Sequence, residues 1–336
     1  MILVSAVVST YNSEEFIRGK IEDLLSQTIV DKLEIIIVNS GSTQNEDGII
    51  KEYLHTHRNV KYIQTKERET VYAAWNKGIK IAEGEYITNS NTDDRLRKDA
   101  YEVLAGYLSD NSDVALVYGD QLFTNVKNQS FEKALGNSVI KFPHYTHLRQ
   151  LDRCIIGSQP MWRASLHRED NIWFNETYEV SGDHDFELRV SENYKTQHID
   201  EVLGTFYKSP TKSNKEFENM ERTKKEVNEI TSIYIDRYLS KLSSEELRFL
   251  QRKYYFHLLL PIILYEILKR GDKLLFPGIY PQMFFYSIEF VYYFSIQISL
   301  RLKDYKKAHL LCRKYLRYKT SNRISKIYDE LKLTRR

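Results

Sequence analysis

The sequence predicts an α/β protein, built on a mostly parallel β-sheet with helices on both faces and followed by a C-terminal α-helical region. Short apolar runs rich in β-branched residues recur through residues 1–120, as expected for strands that are buried on both faces. Amphipathic stretches of about 10–15 residues separate these runs, and this alternation is typical of a parallel sheet. Beyond residue 240 the sequence becomes helical and rich in aromatic residues.

The alternation assigns each N-terminal element in turn. The predicted strands are residues 2–9, 33–40, 60–64, 85–90 and 114–120. The predicted helices between them are residues 13–27, 46–57, 70–84 and 97–110. Ser13 is the expected N-cap of the first helix, since a serine hydroxyl can accept from a free backbone N–H there. The pattern is less regular from 120 to 215, where one helix is predicted near residues 183–194.

Composition limits the class of protein. The chain has 336 residues, of which 42% are hydrophobic and 28% charged, as in ordinary globular proteins. A net charge of +3 is too small to indicate a nucleic-acid partner. Cys154 and Cys312 have neither disulfide-framework nor zinc-site spacing, which fits a reducing compartment and a cytoplasmic location. The apolar N-terminus lacks a basic segment, so we interpret it as a strand rather than a signal peptide.

The predicted C-terminal helices, residues 252–270 and 281–302, are apolar but interrupted. Pro261 and Glu266 interrupt the first and Glu289 and Gln297 the second, which argues against membrane-spanning helices. Both are therefore assigned to a small helical bundle.

The last helical sequence, residues 302–318, resembles the second half of a tetratricopeptide repeat, with Tyr305 and Ala308 at its packing positions. Residues 301–336 contain 13 Lys and Arg against 3 Asp and Glu. Such a basic end could lie peripherally on the inner face of the cell membrane or bind a protein partner. A solvated helical face is the equal alternative.

Three polar clusters follow predicted strands, at residues 9–12, 39–43 and 89–94. In parallel α/β sheets, ligands bind beyond the carboxyl ends of the strands. The third cluster contains Asp93 and Asp94, which could hold a divalent cation against a phosphate or simply form a turn that starts the next helix. The residues alone leave both interpretations open.

A second carboxylate pair, Asp183 and Asp185, lies where a loop enters a helix. These residues could act as a general base or interact with the helix dipole. Because they are two positions apart on a helix, at most one is expected to face a substrate. The sequence has no dinucleotide-binding glycine motif, no P-loop and no nucleophile elbow.

Six segments occur in the order and spacing of family 2 glycosyltransferases: VVSTYN, IIIVNSGST, VYAAWNKGIKIAEGEYI, NTDD, LVYGD and SGDHDFELRV. The resemblance covers roughly residues 3–210 and is nearest to bacterial enzymes of surface-polysaccharide assembly. It implies a Rossmann-like GT-A-type fold, a nucleotide-sugar donor and inversion at the anomeric carbon.

The resemblance also implies site residues. The expected donor-nucleotide residues are Thr10, Tyr11, Asn12, Asn39, Ser40, Asn76 and Lys77. Asp93 and Asp94 match the motif for a divalent cation, Mg²⁺ or Mn²⁺, and Asp183 matches the general base. The acceptor side is expected to include Gln159, Trp162 and Asp185. Two departures are that Asn91 replaces the first aspartate of the metal motif and that Asn39–Ser40 replaces an acidic pair near the base.

The predicted protein is therefore an inverting, metal-assisted glycosyltransferase that acts on a hydroxyl of a glycan or a lipid-linked glycan. Its predicted organisation is a catalytic domain in residues 1–215, a helical linker in 216–240 and a helical bundle in 241–336. One alternative is a catalytically inactive nucleotide-sugar-binding module on the same fold. A sugar nucleotidyltransferase is the less favoured alternative, because that class opens with a Gly-rich basic loop and this chain has STYNSEEF there.

Overall fold

The computed structural model describes residues 1–152, 154–210, 220–248, 288–316 and 322–333. The chain divides into two compact units, Met1–Ile230 and Thr231–Arg336. The division falls inside the helix Met220–Ser240. The helix predicted at residues 252–270 lies outside the described residues.

The first unit contains an eight-stranded sheet within its described residues. Its strands are β1 (Val4–Thr10), β2 (Leu33–Ser40), β3 (Val60–Thr65), β4 (Tyr86–Asn89), β5 (Val114–Thr124), β6 (Val139–Ile140), β7 (Met161–Arg163) and β8 (Lys195–Tyr207). Its helices are α1 (Glu14–Leu25), α2 (Glu46–Leu54), α3 (Val71–Lys80), α4 (Ala100–Asp110), α5 (Phe131–Ala134), α6 (His147–Asp152), α7 (Ser165–Arg168) and α8 (Gly182–Ser191). The helix Met220–Ser240 is α9. The five strands and four helices predicted in the N-terminal part are confirmed, with ends that shift by a few residues.

The sheet order is β3-β2-β1-β4-β7-β5-β6, and β8 pairs with β5. The four strands from β3 to β4 are parallel to one another. The short strand β7 is antiparallel to both β4 and β5, while β8 is parallel to β5. Consequently β1, β2, β4 and β5 all end at one edge of the sheet, and β7 begins there.

Helices cover both faces of the parallel strands. Ile17 and Ile21 of α1 pack into the same core cluster as alternate residues of β1 and β2. On the opposite face, a Cβ on Gly78 of α3 would lie 2.5 Å from Val7 Cγ1, so only glycine allows α3 to pack this closely. Full burial of each Val, Leu or Ile contributes about 1.5–3 kcal/mol, which makes this sandwich the main stabilising element.

Two local features differ from the sequence prediction. Ser13 stands at the N-cap of α1, but its hydroxyl makes no capping bond and donates to Tyr11 O at 3.2 Å. Glu46 instead accepts the Ser13 N–H at 2.6 Å. The 13-residue strand β8 was not predicted, since only its pairing with β5 across a shifted register defines it as a strand.

The second unit is helical in its described part. Its helices beyond α9 are α10 (Ile288–Arg301), α11 (Tyr305–Leu316) and α12 (Asn322–Leu333). Ala308 is fully buried, as its repeat-like position predicts, whereas Tyr305 is 53% exposed and does not occupy a core packing position. None of the helices in the described residues has the length and apolar character required to cross a membrane.

Candidate active site

A cavity of about 780 Å³ opens at the edge of the sheet where β1, β2 and β4 end. Its volume lies in the range of small-molecule sites, about 300–1,000 Å³. The loops after β1 and β4 line it, together with Ser40 at the end of β2, the start of α8 and the segment that leads into β7. The polar clusters after the first and fourth strands therefore meet at this cavity, and Ser40 is the contribution of the second cluster.

Eight of the predicted site residues line this cavity. They are Thr10, Tyr11, Asn12, Ser40, Asp93, Asp94, Trp162 and Asp183. Asn91, which replaces the first aspartate of the metal motif, also lines it. Asp93 and Asp183, which are far apart in sequence, therefore share one cavity.

The turn after β4 places Asp93 and Asp94 differently. Asp94 is buried; its Oδ1 accepts from the Tyr207 N–H at 2.9 Å and its Oδ2 from Ser158 Oγ at 2.7 Å. Asp93 is partly buried and lines the cavity. Arg95 stabilises the turn, because its Nη1 donates to the carbonyl oxygens of Thr92 at 2.8 Å and Asp94 at 2.7 Å. Burial and the neighbouring charge of Asp93 raise the pKa of Asp94 to about 7.

The donor set of this turn suits a hard divalent cation that shares its coordination with a substrate. Within the described part of the chain, no group of three or more His, Cys, Asp or Glu side chains could hold a metal by itself. Mg²⁺ usually takes only one or two carboxylates from the protein and completes its shell with water and substrate phosphates. Asp93 and Asp94, with the amide of Asn91, fit that kind of site.

Asp183 stands in the first turn of α8, where Tyr72 of α3 contacts it. Tyr72 OH donates to Asp183 Oδ1 at 3.3 Å, and the His184 N–H donates to the same oxygen at 2.9 Å. A Cβ on the preceding Gly182 would lie 2.7 Å from Tyr72 Cδ2, so this close approach requires glycine. Both hydrogen bonds orient the carboxyl through Oδ1 and neither uses Oδ2.

The pKa of Asp183 is raised above the ordinary aspartate value. Its main cause is the protein around the carboxyl, which displaces water and disfavours the charged form, and the bonds from His184 and Tyr72 offset this only in part. A carboxylate with a raised pKa is a stronger base than an exposed aspartate.

The loop after β1 is held against the loop after β2. The Asn12 backbone adopts the left-handed conformation, with φ 50°, and its Oδ1 accepts from the Thr43 N–H at 2.9 Å. Arg68 stacks on Tyr11, with the guanidinium 4.5 Å from the ring centroid. Thr10 Oγ1 is buried and has no hydrogen-bond partner among the described residues, although Thr10 lines the cavity.

Five predicted site residues are not among those that line the cavity. Three make hydrogen bonds with neighbouring protein groups: Asn39 with Tyr62 OH at 3.1 Å, Asn76 with Phe174 O at 2.9 Å, and Gln159 with Thr205 O at 3.1 Å. The other two form ion pairs: Lys77 with Glu69 at 2.5 Å, and Asp185 with Arg189 at 2.8 Å. The structure thus separates Asp183 from Asp185, as their spacing on the helix predicted.

Several cavity residues were not predicted as site residues from the sequence. One wall is aromatic, with Trp75 and Phe174 centroids 5.1 Å apart and Phe174 and Phe186 stacked at 4.2 Å. Glu187, one turn after Asp183, is buried; its Oε2 accepts from Gln150 Nε2 at 2.6 Å. Gln121 and Ser158 enter from β5 and the segment before β7. Trp75, Phe186 and Glu187 lie inside segments that sequence analysis had singled out, and Gln121 directly follows the LVYGD motif, but none of them was predicted as a site residue.

Comparison with known proteins agrees with this geometry. Residues 5–169 match the family described as glycosyl transferase family 2. Over these residues the chain is similar to glycosyltransferase family 2.

Relatives of the chain include the chondroitin synthase of Escherichia coli, which is 29% identical over 202 residues that span 60% of this chain and 28% of the synthase. An uncharacterized glycosyltransferase of Haemophilus influenzae is 25% identical over 334 residues, which span 94% of this chain and 97% of the relative. The chain thus matches less than a third of the synthase but nearly the whole length of the Haemophilus protein.

The fold is also found in a solved structure. S. aureus TarS 1–349, crystallised in complex with UDP, superimposes with a TM-score of 0.54 at 21% identity, covering 70% of this chain and 65% of TarS. This likeness establishes the GT-A-type fold of the first unit.

Proposed function

We propose that this chain transfers a sugar from a nucleoside-diphosphate donor to a hydroxyl group of a glycan or lipid-linked glycan, with inversion at the anomeric carbon. The observation that carries the proposal is the presence of Asp93 and Asp183 in one cavity beyond the ends of the parallel strands. A relative named chondroitin synthase favours a glycan as the acceptor.

In this reaction Asp183 accepts the proton of the acceptor hydroxyl. At the same time the oxygen of that hydroxyl forms a bond to the anomeric carbon. The bond from that carbon to the diphosphate oxygen breaks on the opposite side, and the nucleoside diphosphate leaves with the electron pair. Tyr72 OH and the His184 N–H hold the carboxyl of Asp183 in place. The aromatic wall of Trp75, Phe174 and Phe186 excludes water that would otherwise compete with the acceptor.

Asp93 is the residue we assign to a divalent cation, with Asp94 beside it. When bound, the cation would neutralise the negative charge that develops on the diphosphate. Because Asp94 already accepts bonds from Tyr207 N–H and Ser158, we assign it first to shaping the turn. Thr10, Tyr11, Asn12 and Ser40 would contact the donor nucleotide.

The test starts with a thermal-shift screen of UDP-, GDP- and dTDP-sugars, each with Mg²⁺, Mn²⁺ or EDTA. A donor that binds only the native state raises Tm, and this shift should require the metal. The selected donor is then assayed for sugar transfer and for slow hydrolysis. Asp93→Asn should lower turnover by about 10²-fold or more, since a metal contributes several kcal/mol to charge stabilisation.

Asp113→Asn is the matched control, because the Asp113 side chain is 68% exposed and pairs with Lys195 outside the cavity. It should retain wild-type turnover. Donor binding without transfer or hydrolysis would instead identify a catalytically inactive nucleotide-sugar-binding module. Equal turnover in EDTA and in Mg²⁺ would contradict the metal assignment.

A further inference from the structure

Gln121 is a buried polar residue of the cavity for which the proposed chemistry has no use. It lies on β5 near the edge where the strands end, is 2% exposed and lines the cavity. Its neighbours in space come from two other parts of the chain, the turn after β4 and the segment before β7.

A polarised hydrogen-bond chain connects Gln121 to the metal motif. Gln121 Nε2 donates to Ser158 Oγ at 2.8 Å, and Ser158 Oγ donates to Asp94 Oδ2 at 2.7 Å. Ser158 has a single hydroxyl proton, and this hydrogen bond directs it to Asp94 Oδ2. Ser158 Oγ must then accept from Gln121, and this fixes which end of the Gln121 amide faces Ser158.

The carbonyl end of the amide is therefore the end left for a ligand. Gln121 Oε1 is buried and has no hydrogen-bond partner among the described residues. Gly157 leaves space next to this oxygen, since a Cβ there would lie 3.3 Å from Oε1. A group bound in the cavity can complete this oxygen, since Gln121 lines the cavity.

The position of Gln121 in the sheet indicates which part of a ligand would bind Oε1. Along the edge, β2 and β1 supply the proposed nucleotide residues and β4 supplies Asp93, while β7 and β5 follow on the far side. Gln121 therefore lies beyond the metal motif as seen from the nucleotide residues. A diphosphate at neutral pH offers oxygen acceptors and would be repelled by Oε1, whereas sugars carry hydroxyl and amide donors.

We propose that Gln121 Oε1 accepts a hydrogen bond from a hydroxyl or amide N–H of the transferred sugar and makes Gln121 a specificity-determining residue. This inference rests on the proposed function, because it names the part of the donor that this side of the cavity recognises. The same chemistry could come from a hydroxyl of the acceptor glycan, so the experiment measures donor binding with no acceptor present.

The experiment is isothermal titration of the full chain with the donor selected above and with its nucleoside diphosphate, both in Mg²⁺. Gln121→Met should weaken binding of the nucleotide-sugar about tenfold and leave binding of the nucleoside diphosphate unchanged. The ratio of the two affinities is the readout. A general loss of stability would weaken binding of both ligands by the same factor, and that factor cancels in the ratio. Gln197→Met is the matched control, since Gln197 lies on β8 and is not among the residues that line the cavity.

Monodeoxy analogues of the donor identify the sugar position. For the wild type, one analogue should bind about tenfold more weakly than the parent donor, because it lacks the hydroxyl that donates to Gln121 Oε1 and leaves this oxygen unpaired. In Gln121→Met this analogue and the parent should bind equally, as expected for two changes that remove one interaction. Gln121→Asn, which keeps the amide but withdraws it by one methylene, should show the same loss.

The alternatives have distinct outcomes. In one outcome a donor binds the wild type, but Gln121→Met weakens binding of the nucleotide-sugar and of the nucleoside diphosphate equally, or changes neither affinity. The assignment of Gln121 is then wrong and the proposed function stands. An effect confined to transfer in the presence of acceptor would move Gln121 to the acceptor side and also overturn it. If neither nucleotide-sugars nor nucleoside diphosphates bind the wild type, the proposed function itself fails and the assignment fails with it.

Discussion

At the residue scale, the raised pKa that suits Asp183 to act as a base also lowers the stability of the fold at neutral pH. The protein around its carboxyl raises its pKa, so in the window between the ordinary aspartate pKa and the raised one the folded chain holds a proton that the unfolded chain has lost. The stability contributed by this group is complete below the ordinary pKa and is lost as pH rises through the folded pKa. At neutral pH the ionised carboxylate therefore lowers the free energy of unfolding.

Asp183→Asn should consequently lower turnover by about 10²–10⁴-fold and raise Tm at neutral pH. In the wild type, turnover should rise with pH through a pKa above the ordinary aspartate value, and this limb should disappear from the residual activity of the variant. Rate measurements and thermal melts between pH 4 and pH 8 would test both. A variant that retained near wild-type turnover would exclude Asp183 as the base.

Residues that share a motif do not share a role here. Asp185 follows Asp183 by two positions but pairs with Arg189, and Asn76 binds the backbone of Phe174 rather than facing the cavity. Their side-chain directions depend on partners that arrive from elsewhere in the chain. The motif predicted where these residues cluster, and packing determined which of them a ligand can reach.

At the scale of elements, helix α9 holds the loop that precedes Asp183, the proposed general base. Glu226 Oε1 accepts from the Glu179 N–H at 3.0 Å, and its Oε2 accepts from Val180 N–H at 2.9 Å and Ser181 N–H at 3.0 Å. Arg222 adds to these contacts, because it forms ion pairs with both Glu179 and Glu226. Burial opposes the charged form of Glu226, but these bonds outweigh it and lower the pKa of its carboxyl.

Glu226→Ala should therefore lower both Tm and turnover, because three backbone N–H groups beside Asp183 lose their acceptor, at a cost of about 1–3 kcal/mol each where they stay buried. Glu226→Gln should retain part of both, since it keeps one oxygen acceptor. Glu229→Ala on the same helix is the control, as Glu229 is exposed. Thermal melts and steady-state kinetics would measure this, and unchanged kinetics in Glu226→Ala would contradict a positioning role.

The short strand β7 positions one side of the cavity, although it has only three residues. By pairing antiparallel with both β4 and β5, it brings Ser158 to the same edge as Asp94 and Gln121. A strand of three residues has no detectable periodicity of its own, so sequence analysis could not place it. The far side of the cavity therefore depends on an element that only sheet pairing defines.

At the scale of the whole molecule, charge is unevenly distributed along the chain. Residues 301–336 carry 13 Lys and Arg against 3 Asp and Glu, although the net charge of the whole chain is only +3. In α11, Leu310 is 47% exposed and Tyr305 is 53% exposed beside this basic sequence. A basic helical end with exposed apolar side chains is suited to an anionic membrane surface.

We expect the full chain to sediment with vesicles that contain phosphatidylserine and to be released as salt is raised. Each basic residue near such a surface contributes about 1 kcal/mol, and this attraction decays within a Debye length. Replacing Arg313 and Lys314 with Gln should weaken the binding, whereas Lys51→Gln, in the first unit, should not. No binding, or equal binding to neutral phosphatidylcholine vesicles, would leave the basic end as a solvated face.

The sequence by itself determined the alternation of strands and helices and the sheet edge at which the polar loops meet, and its resemblance to family 2 glycosyltransferases pointed to Asp93 and Asp183. The alternation and the edge follow from local periodicity and from the rule that loops after parallel strands meet at one edge. Only the tertiary structure decided that Asp94 shapes the turn, that Glu226 holds the loop before Asp183, and that Gln121 presents its carbonyl oxygen. Each depends on hydrogen bonds between residues distant in sequence, whose geometry no local pattern encodes.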